Sequence, residues 1–403
     1  MNLPTLRVGE RVRHHRERLR RTQAVVAGLC GITEDYLSQI ERGLKTPSHD
    51  VLTKLAHELQ VPVATLLGDS EPAPARRHGP ATAGPDVIHA LLHRPATPPT
   101  RPLLEQGLRD RVERLWETWQ TSPTRFTDAE TVLPALIRDV ETTLRTRPHD
   151  INLSERRETL RAAADLYGML RSYCRRSGRP DLSLMCADRS LRAAEDADDP
   201  LRIAAAHWNL GHVLLSQPGN ESEAAGIALR AADNLRRTLS TPRATAVQGA
   251  LELVAVVAEA RSRRAWAARD RLNRRVLPLA GRTGEGNVLW TVFGPTNVEL
   301  HAVSVEMLDG DAGEGLRLAD QIDTDPLASH ERRFTFGLEV ARCYDLRRED
   351  ASVLVHLLEL ESLAPEDLER SPLARQLVVS LVQRSRPTYR RQVTALAERL
   401  HLL

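Results

Sequence analysis

The stretch that decides the fold is Tyr36-Leu37-Ser38-Gln39-Ile40-Glu41-Arg42-Gly43. Leu37 and Ile40 lie three apart and share one face of a helix, with polar residues around the rest. The reading is a helix over 34–42 that ends at Gly43, where a C-terminal cap favours glycine. Upstream, Gly31 supplies a tight turn, Ile32 a core plug and Thr33 an N-cap hydroxyl. Glu34 and Asp35 fall in the first turn, where the helix dipole favours acids; Asp35 is read as capping, and the role of Glu34 is left open.

Working outward, Val8, Val12 and Leu19 mark one face of a preceding helix. Thr22 or Gln23 opens the next, which carries Ala24, Val25, Ala27 and Leu29. Beyond Gly43, Pro47 and Ser48 announce a fourth helix with Val51, Leu52, Leu55, Ala56 and Leu59 inward. Val61-Pro62-Val63, Leu66 and Leu67 close a compact unit over residues 1–68. Five short helices are expected. Residues 1–21 hold seven arginines against Glu10 and Glu17, a local positive excess suited to a polyanion.

The run Thr22-Gln23, Cys30-Gly31-Ile32-Thr33, Tyr36 to Gly43 and Thr46-Pro47-Ser48 resembles the phage-repressor (Cro/XRE) helix-turn-helix family. The resemblance implies a lambda-repressor-like DNA-binding domain whose third helix enters the major groove. It implies that Gln23 meets a phosphate or base edge and that Glu34, Asp35, Tyr36, Ser38 and Gln39 face the groove. Gln39 is the implied base reader, because a Gln amide pairs bidentately with adenine. Thr33, Arg42, Lys45 and Thr46 are implied backbone contacts. Glu41 is implied to pair internally with Arg11 or Arg13. The acidic Glu34-Asp35 pair departs from a neutral or basic recognition helix.

At 403 residues, two or three domains are expected. Aromatic residues make up 3% of the chain while Ala, Leu and Arg abound, which favours an all-α protein. Lys45 and Lys54 are the two lysines, a bias expected of the GC-rich coding sequences of actinobacteria. Cys30, Cys174, Cys186 and Cys343 are too far apart for a disulfide scaffold or a zinc site. No apolar signal core opens the chain and no run of 18 apolar residues occurs, so a soluble cytoplasmic protein without membrane contact is expected. No cofactor is expected.

Residues 69–102 read as a linker, with seven prolines between 72 and 99 and room for a short helix over 86–93. Residues 103–403 read as helix pairs: 159–176 with 181–195, 201–216 with 221–239, 243–261 with 265–281, 287–308 with 312–322, and 330–346 with 350–363. A terminal pair follows from Leu373. Turns recur every 38 to 46 residues or so, as in stacked helical repeats with a concave surface. Trp208-Asn209-Leu210-Gly211 with Ala224, Ala225, Ala228 and Ala232 partly resembles the tetratricopeptide pattern. The fold class is therefore all-α, a five-helix DNA-binding domain followed by a tetratricopeptide-like solenoid, with another all-α repeat as the alternative.

This architecture resembles the peptide-pheromone receptor regulators (the RRNPP group) and large actinobacterial regulators of the same layout. The resemblance implies a small effector, peptide in kind, held by Asn carboxamides. Asn209, His212, Asn297, His301, Trp290 and Phe293 are the candidate ligand contacts, with Asn234 and Asn287 as further carboxamides. The alternative is a protein-interaction scaffold with no small ligand. The stripe Val393, Leu396, Ala397 and Leu400 is read as a solenoid cap or a dimer seam. A homodimer on a palindromic operator is expected, since one such domain reads about half a site.

Enzymatic readings fail on spacing. Gly281 to Gly286 has no Lys-Ser/Thr after it, His330-Glu331-Arg332-Arg333 is followed by Phe334 where a second zinc ligand belongs, and Asp309-Gly310-Asp311 lacks a calcium loop's spacing. The chain is not expected to be an enzyme.

Overall fold

A computed structural model describes residues 8–19, 21–45, 47–59, 61, 63, 66, 83–93, 107–145, 153–327 and 329–403. The chain divides into two compact units, Met1–Gly79 and Pro80–Leu403. Every regular element among the described residues is helical.

In the first unit four helices are described: α1 Val8–Arg18, α2 Gln23–Cys30, α3 Glu34–Glu41 and α4 His49–Glu58. Local chemistry sets the starts of α2, α3 and α4. The hydroxyls of Thr22, Thr33 and Ser48 accept the backbone N–H of Val25, Tyr36 and Val51. Gly31 turns the chain at φ 67° between α2 and α3, a conformation that favours glycine. Val12, Val26, Ala27, Cys30, Leu37, Leu55 and Leu66 form the core. Most of the fifth expected helix lies outside the described residues.

Two apolar assignments need correction. Leu19 follows the end of α1 and is exposed, and on α2 the core face is Val26, Ala27 and Cys30 rather than Val25 and Leu29. Thr22 caps the helix so that positions 26, 27 and 30 turn inward, while 24, 25 and 29 face out. The capping role given to Asp35 is filled by Thr33, whose oxygen lies 3.2 Å from the Tyr36 nitrogen.

The second unit begins before the expected linker ends. Helix α5, Pro85–Leu92, buries Val87 and Leu91 in the unit's first core beside Trp119, Phe126 and Tyr173. The Tyr173 hydroxyl accepts the Gly84 N–H at 2.7 Å and donates to Glu130 at 2.6 Å, which fixes the start of α5. Then follow α6 Leu108–Thr121, α7 Arg125–Arg145, α8 Leu153–Arg176, α9 Pro180–Asp196, α10 Pro200–Leu215, α11 Glu221–Thr238 and α12 Pro242–Arg261.

The expected helix over 265–281 is interrupted. Ala265–Arg271 (α13) passes through a π-turn at Leu272–Val276 into Leu277–Thr283 (α14). Pro278 has no N–H for the carbonyl one turn back, and the widened turn accommodates that loss. The helix expected over 287–308 starts only at Pro295, as α15 Pro295–Asp309; before it lies a short 3-10 turn, Val288–Trp290. The last helices are α16 Ala312–Ala319, α17 His330–Leu346, α18 Asp350–Leu363, α19 Pro365–Arg370, α20 Pro372–Arg384 and α21 Pro387–Arg399. Val393, Leu396, Ala397 and Leu400 pack against Leu377 and Leu381 of the same chain, so this stripe caps the stack.

The early and late helices of the stack meet. Arg125 at the start of α7 is buried, donates to Asp367 on α19 through Nε at 2.9 Å, and reaches Glu331 on α17 at 2.9 Å. Glu366 accepts the Phe126 N–H at 2.7 Å, and Arg176 at the end of α8 donates to Glu331. These bonds join the early and late helices beside a partly open cavity.

Candidate nucleic-acid interface and ligand cavity

A buried polar set fixes α3 in the first unit. Arg16 on α1 meets the Glu41 carboxylate through Nε at 2.7 Å and Nη2 at 2.9 Å, and Gln23 donates to the same carboxylate at 2.6 Å. Glu41 is only 5% exposed. Its partner is Arg16, not Arg11 or Arg13; Arg13 points outward and pairs with Glu17 at 2.8 Å. The hydrogen bond to Glu41 raises the Arg16 pKa above its usual value. The start of α2 and the end of α3 are thus tied to α1 by one carboxylate.

The outward face of α3 carries Glu34 and Asp35, exposed, with Tyr36, Ser38 and Gln39 half-buried. Thr33, Arg42 and Lys45 flank them and are exposed, while Thr46 lies outside the described residues. The Gln39 amide donates to Asp35 at 2.7 Å across one helical turn. Lys45 rests 5.5 Å from the Tyr36 ring centre, and Arg42 Nε donates to the Ser38 carbonyl at 3.3 Å. The face therefore has an acidic N-terminal end and a basic C-terminal end. The Asp35 contact engages one of the two hydrogens of the Gln39 amide. Gln23 is half-buried and engaged by Glu41, which makes it first a fixing residue for the helix pair.

These observations are matched by similarity to known proteins. A family described as a helix-turn-helix domain matches residues 7–67. The transcriptional regulator ClgR of Mycobacterium tuberculosis is 36% identical over 78 residues, 19% of this chain and 70% of that protein. The chain belongs to the helix-turn-helix transcriptional regulators. An uncharacterized HTH-type transcriptional regulator of the same organism is 40% identical over 58 residues, 14% of this chain. The chain spans 41% of that relative's length.

In the second unit of this regulator, α8, α10, α12, α15 and α17 surround a cavity of about 240 Å³. Of the candidate ligand contacts, His212, Asn297, His301 and Trp290 lie on its wall. Two do not. Phe293 is 1% exposed, and its ring fills the space over Gly249, where a Cβ would stand 2.0 Å from the ring. Asn209 is buried behind Arg171, which donates to its carboxamide oxygen. Of the other carboxamides, Asn234 accepts from Arg237 on the surface and Asn287 serves the loop described next.

That loop carries unusual backbone. Leu289, Trp290 and Val292 hold φ values of 47°, 64° and 52°, unfavourable for side chains branched or bulky at Cβ. The surroundings over-determine it. Asn287 donates to Gln120 at 2.5 Å and accepts the Val292 N–H at 3.1 Å, Gln120 donates to the Trp290 carbonyl at 3.2 Å, and Asn297 donates to the Val292 carbonyl at 2.8 Å. Trp290 stacks on Trp116 with ring centres 5.4 Å apart and planes 5° from parallel. The result is a flat indole wall on the cavity.

Sequence reasoning missed the charged residues of this wall. Five arginines line the cavity (Arg171, Arg175, Arg176, Arg261 and Arg332) against two carboxylates, Glu331 and Glu339. Burial, then the neighbouring Arg176 and Arg171, pull the Arg175 guanidinium down to about 9. Burial pulls Arg171 down to about 10, and it lowers Arg332 and Arg261 as well. Burial raises Glu331 on its own, but Arg176 and Arg125 overcome it and hold the carboxyl well below its usual range. His301 is pushed down to about 3 by burial and then by Arg332, and burial together with Arg171 and Arg175 holds His212 far below its usual value. Both imidazoles are neutral at pH 7. The available signal was Arg171 and Arg175, four apart at the C-terminal end of a helix whose neighbouring positions 166–170 are apolar or small apart from Tyr167.

Proposed function

We propose that this chain is a sequence-specific DNA-binding transcriptional regulator whose second unit senses a small ligand. The observation that carries the DNA-binding part is α3. Its apolar face is locked into the core by Leu37 and Ile40, its end is pinned by Arg16 and Glu41, and Ser38 and Gln39 remain on the outer face. A helix held this rigidly can present amides and hydroxyls to base edges in the major groove. Gln39 reads a base, Ser38 and Tyr36 support it, and Arg42, Lys45 and Thr33 meet the backbone.

Sensing rests on the cavity. Its volume of about 240 Å³ lies below the roughly 300–1,000 Å³ of drug-sized sites, which favours a compact molecule over a peptide of several residues. The proposal includes a homodimer on a palindromic operator, since a single eight-residue recognition helix covers a half-site. No reaction is part of the proposal. Among the described residues no helix is long and apolar enough to cross a membrane.

A genome-wide footprint of the full chain tests the reading. Discrete sites with two-fold symmetric sequence, lost on Gln39→Ala, are the expected result. A preference unchanged by Gln39→Ala removes Gln39 as the reader, and a monomeric mass on DNA in light scattering removes the dimer.

A further inference from the structure

Two arginines elsewhere in the second unit are bonded to acids on more than one side. Arg202 meets Asp165 at 2.8 Å and Asp199 at 3.0 Å, and Arg271 meets Glu252 at 2.8 Å and Glu259 at 2.9 Å. The cavity arginines depart from this pattern. Arg175 donates no hydrogen bond among the described residues, and the Glu331 carboxylate stands 3.9 Å away. Arg171 is 3% exposed; it reaches Asn209 with one nitrogen and leaves Nε without a partner.

Arg332 is worse placed. Its Nη2 lies 3.3 Å from His301 Nδ1, but that nitrogen is also 2.7 Å from the Asn297 carbonyl. A carbonyl can only accept, so Nδ1 carries the proton and offers Arg332 nothing. The Arg332 Nε is also unpartnered. On the same wall the Asn297 carboxamide oxygen is buried and accepts no hydrogen bond. Arg171 is buried and Arg175 and Arg332 are half-buried; cations withdrawn from water without a hydrogen-bonded acid are costly, and an anion in the cavity relieves that cost.

We propose that the cavity binds a small planar organic anion, an aromatic carboxylate or phosphate. Its acid group lies among Arg171, Arg175 and Arg332, its ring against the Trp290 indole, and a hydroxyl or N–H donates to Asn297 Oδ1. Arginine suits both acid groups because its planar fork pairs with two oxygens at once. The indole face and the 5.4 Å stack of Trp290 on Trp116 give a flat, rigid apolar surface for a ring. This inference rests on the sensing proposal for its biological meaning but not for its test.

The test is a thermal melt of the full chain, read with tryptophan fluorescence, against four probes: 4-hydroxybenzoate, phenyl phosphate, the neutral 4-hydroxybenzamide, and inorganic phosphate. One or both aromatic anions should raise Tm, by about 5 °C at a 100-fold excess over Kd, and perturb the fluorescence of the cavity indoles. The benzamide should do neither. Whichever aromatic anion acts separates carboxylate from phosphate, and inorganic phosphate acting as strongly would show that the ring contributes nothing and overturn the planar part.

Arg175→Gln should abolish the shift, with Arg332→Gln as the second variant should the first not fold. It should also leave the unliganded Tm unchanged or higher, because a half-buried charge with no hydrogen-bonded acid is removed. No shift with any anion, or an equal shift in Arg175→Gln, overturns the proposal. An anion that raises Tm yet leaves operator affinity unchanged upholds the site and overturns the sensing role, since binding linkage must act both ways.

Discussion

In the first unit Arg16, Gln23 and Glu41 bond to one another across three helices, with Glu41 5% exposed. In the second, Arg171, Arg175 and Arg332 surround a cavity with nitrogen atoms left over. The same residue type is used in two ways. Where the guanidinium is matched to a carboxylate, it fixes one helix against another. Where it is unmatched and lines the cavity, it leaves N–H groups without a partner. The contrast separates an arginine set that fixes helices from one that leaves donors unused.

The largest effect expected is from unmatching the matched set. Glu41→Ala leaves Arg16 buried without its carboxylate and should cost the first unit about 3–5 kcal/mol, read by urea denaturation, with loss of DNA binding. A cost under 1 kcal/mol would mean that the set is not structural.

Acid should act on the second unit. His301 and His212 are held below their unfolded pKa of about 6.5 by burial, so the folded state keeps them neutral. The stability they contribute is fully present above pH 6.5 and is lost as pH falls toward the folded value, about 3 for His301. Each histidine should cost about 1.4 kcal/mol per pH unit in that window. His301→Gln should remove one such slope, and an unchanged slope would place the titration elsewhere.

On the DNA face, Gln39→Ala should weaken specific binding by about 1–3 kcal/mol and relax preference at one base position. Asp35→Ala should do the opposite, by about 0.5–1 kcal/mol, because it frees the Gln39 amide and removes a charge near phosphates. Quantitative gel shifts on one operator check both. Weaker binding by Asp35→Ala would mean that Asp35 orients Gln39 rather than competing for it.

Much of this was legible in the sequence. Caps and turns are local, so Thr33, Gly31 and Ser48 marked the first unit's helices, and the 330–346 and 350–363 helices matched their turn signals to the residue. What failed was non-local. Glu41 chose Arg16 because of how α1 crosses α3, which spacing along α1 does not reveal. Gly294-Pro295 broke a helix that apolar periodicity had run through. Phe293 entered the core because Gly249, on a helix 44 positions earlier, leaves space for its ring. The cavity was hidden for the same reason. Arg125 meets Asp367 from 242 positions away, and only that contact gathers Arg171, Arg175 and Arg332 around one space.

The most direct test compares a matched arginine of the second unit, Arg125, with one that has no hydrogen-bonded acid, the half-buried Arg175. Arg125→Gln removes the main partner of the buried Asp367 and one of the two arginines bonded to Glu331 and should destabilise the unit by about 3–5 kcal/mol, whereas Arg175→Gln should be neutral or stabilising in the absence of ligand. Denaturation of the two variants beside the parent chain decides it. Effects of opposite sign, or a large loss set against none, are the predicted result; equal losses would contradict the account, because Arg175 would then be a structural arginine like the rest.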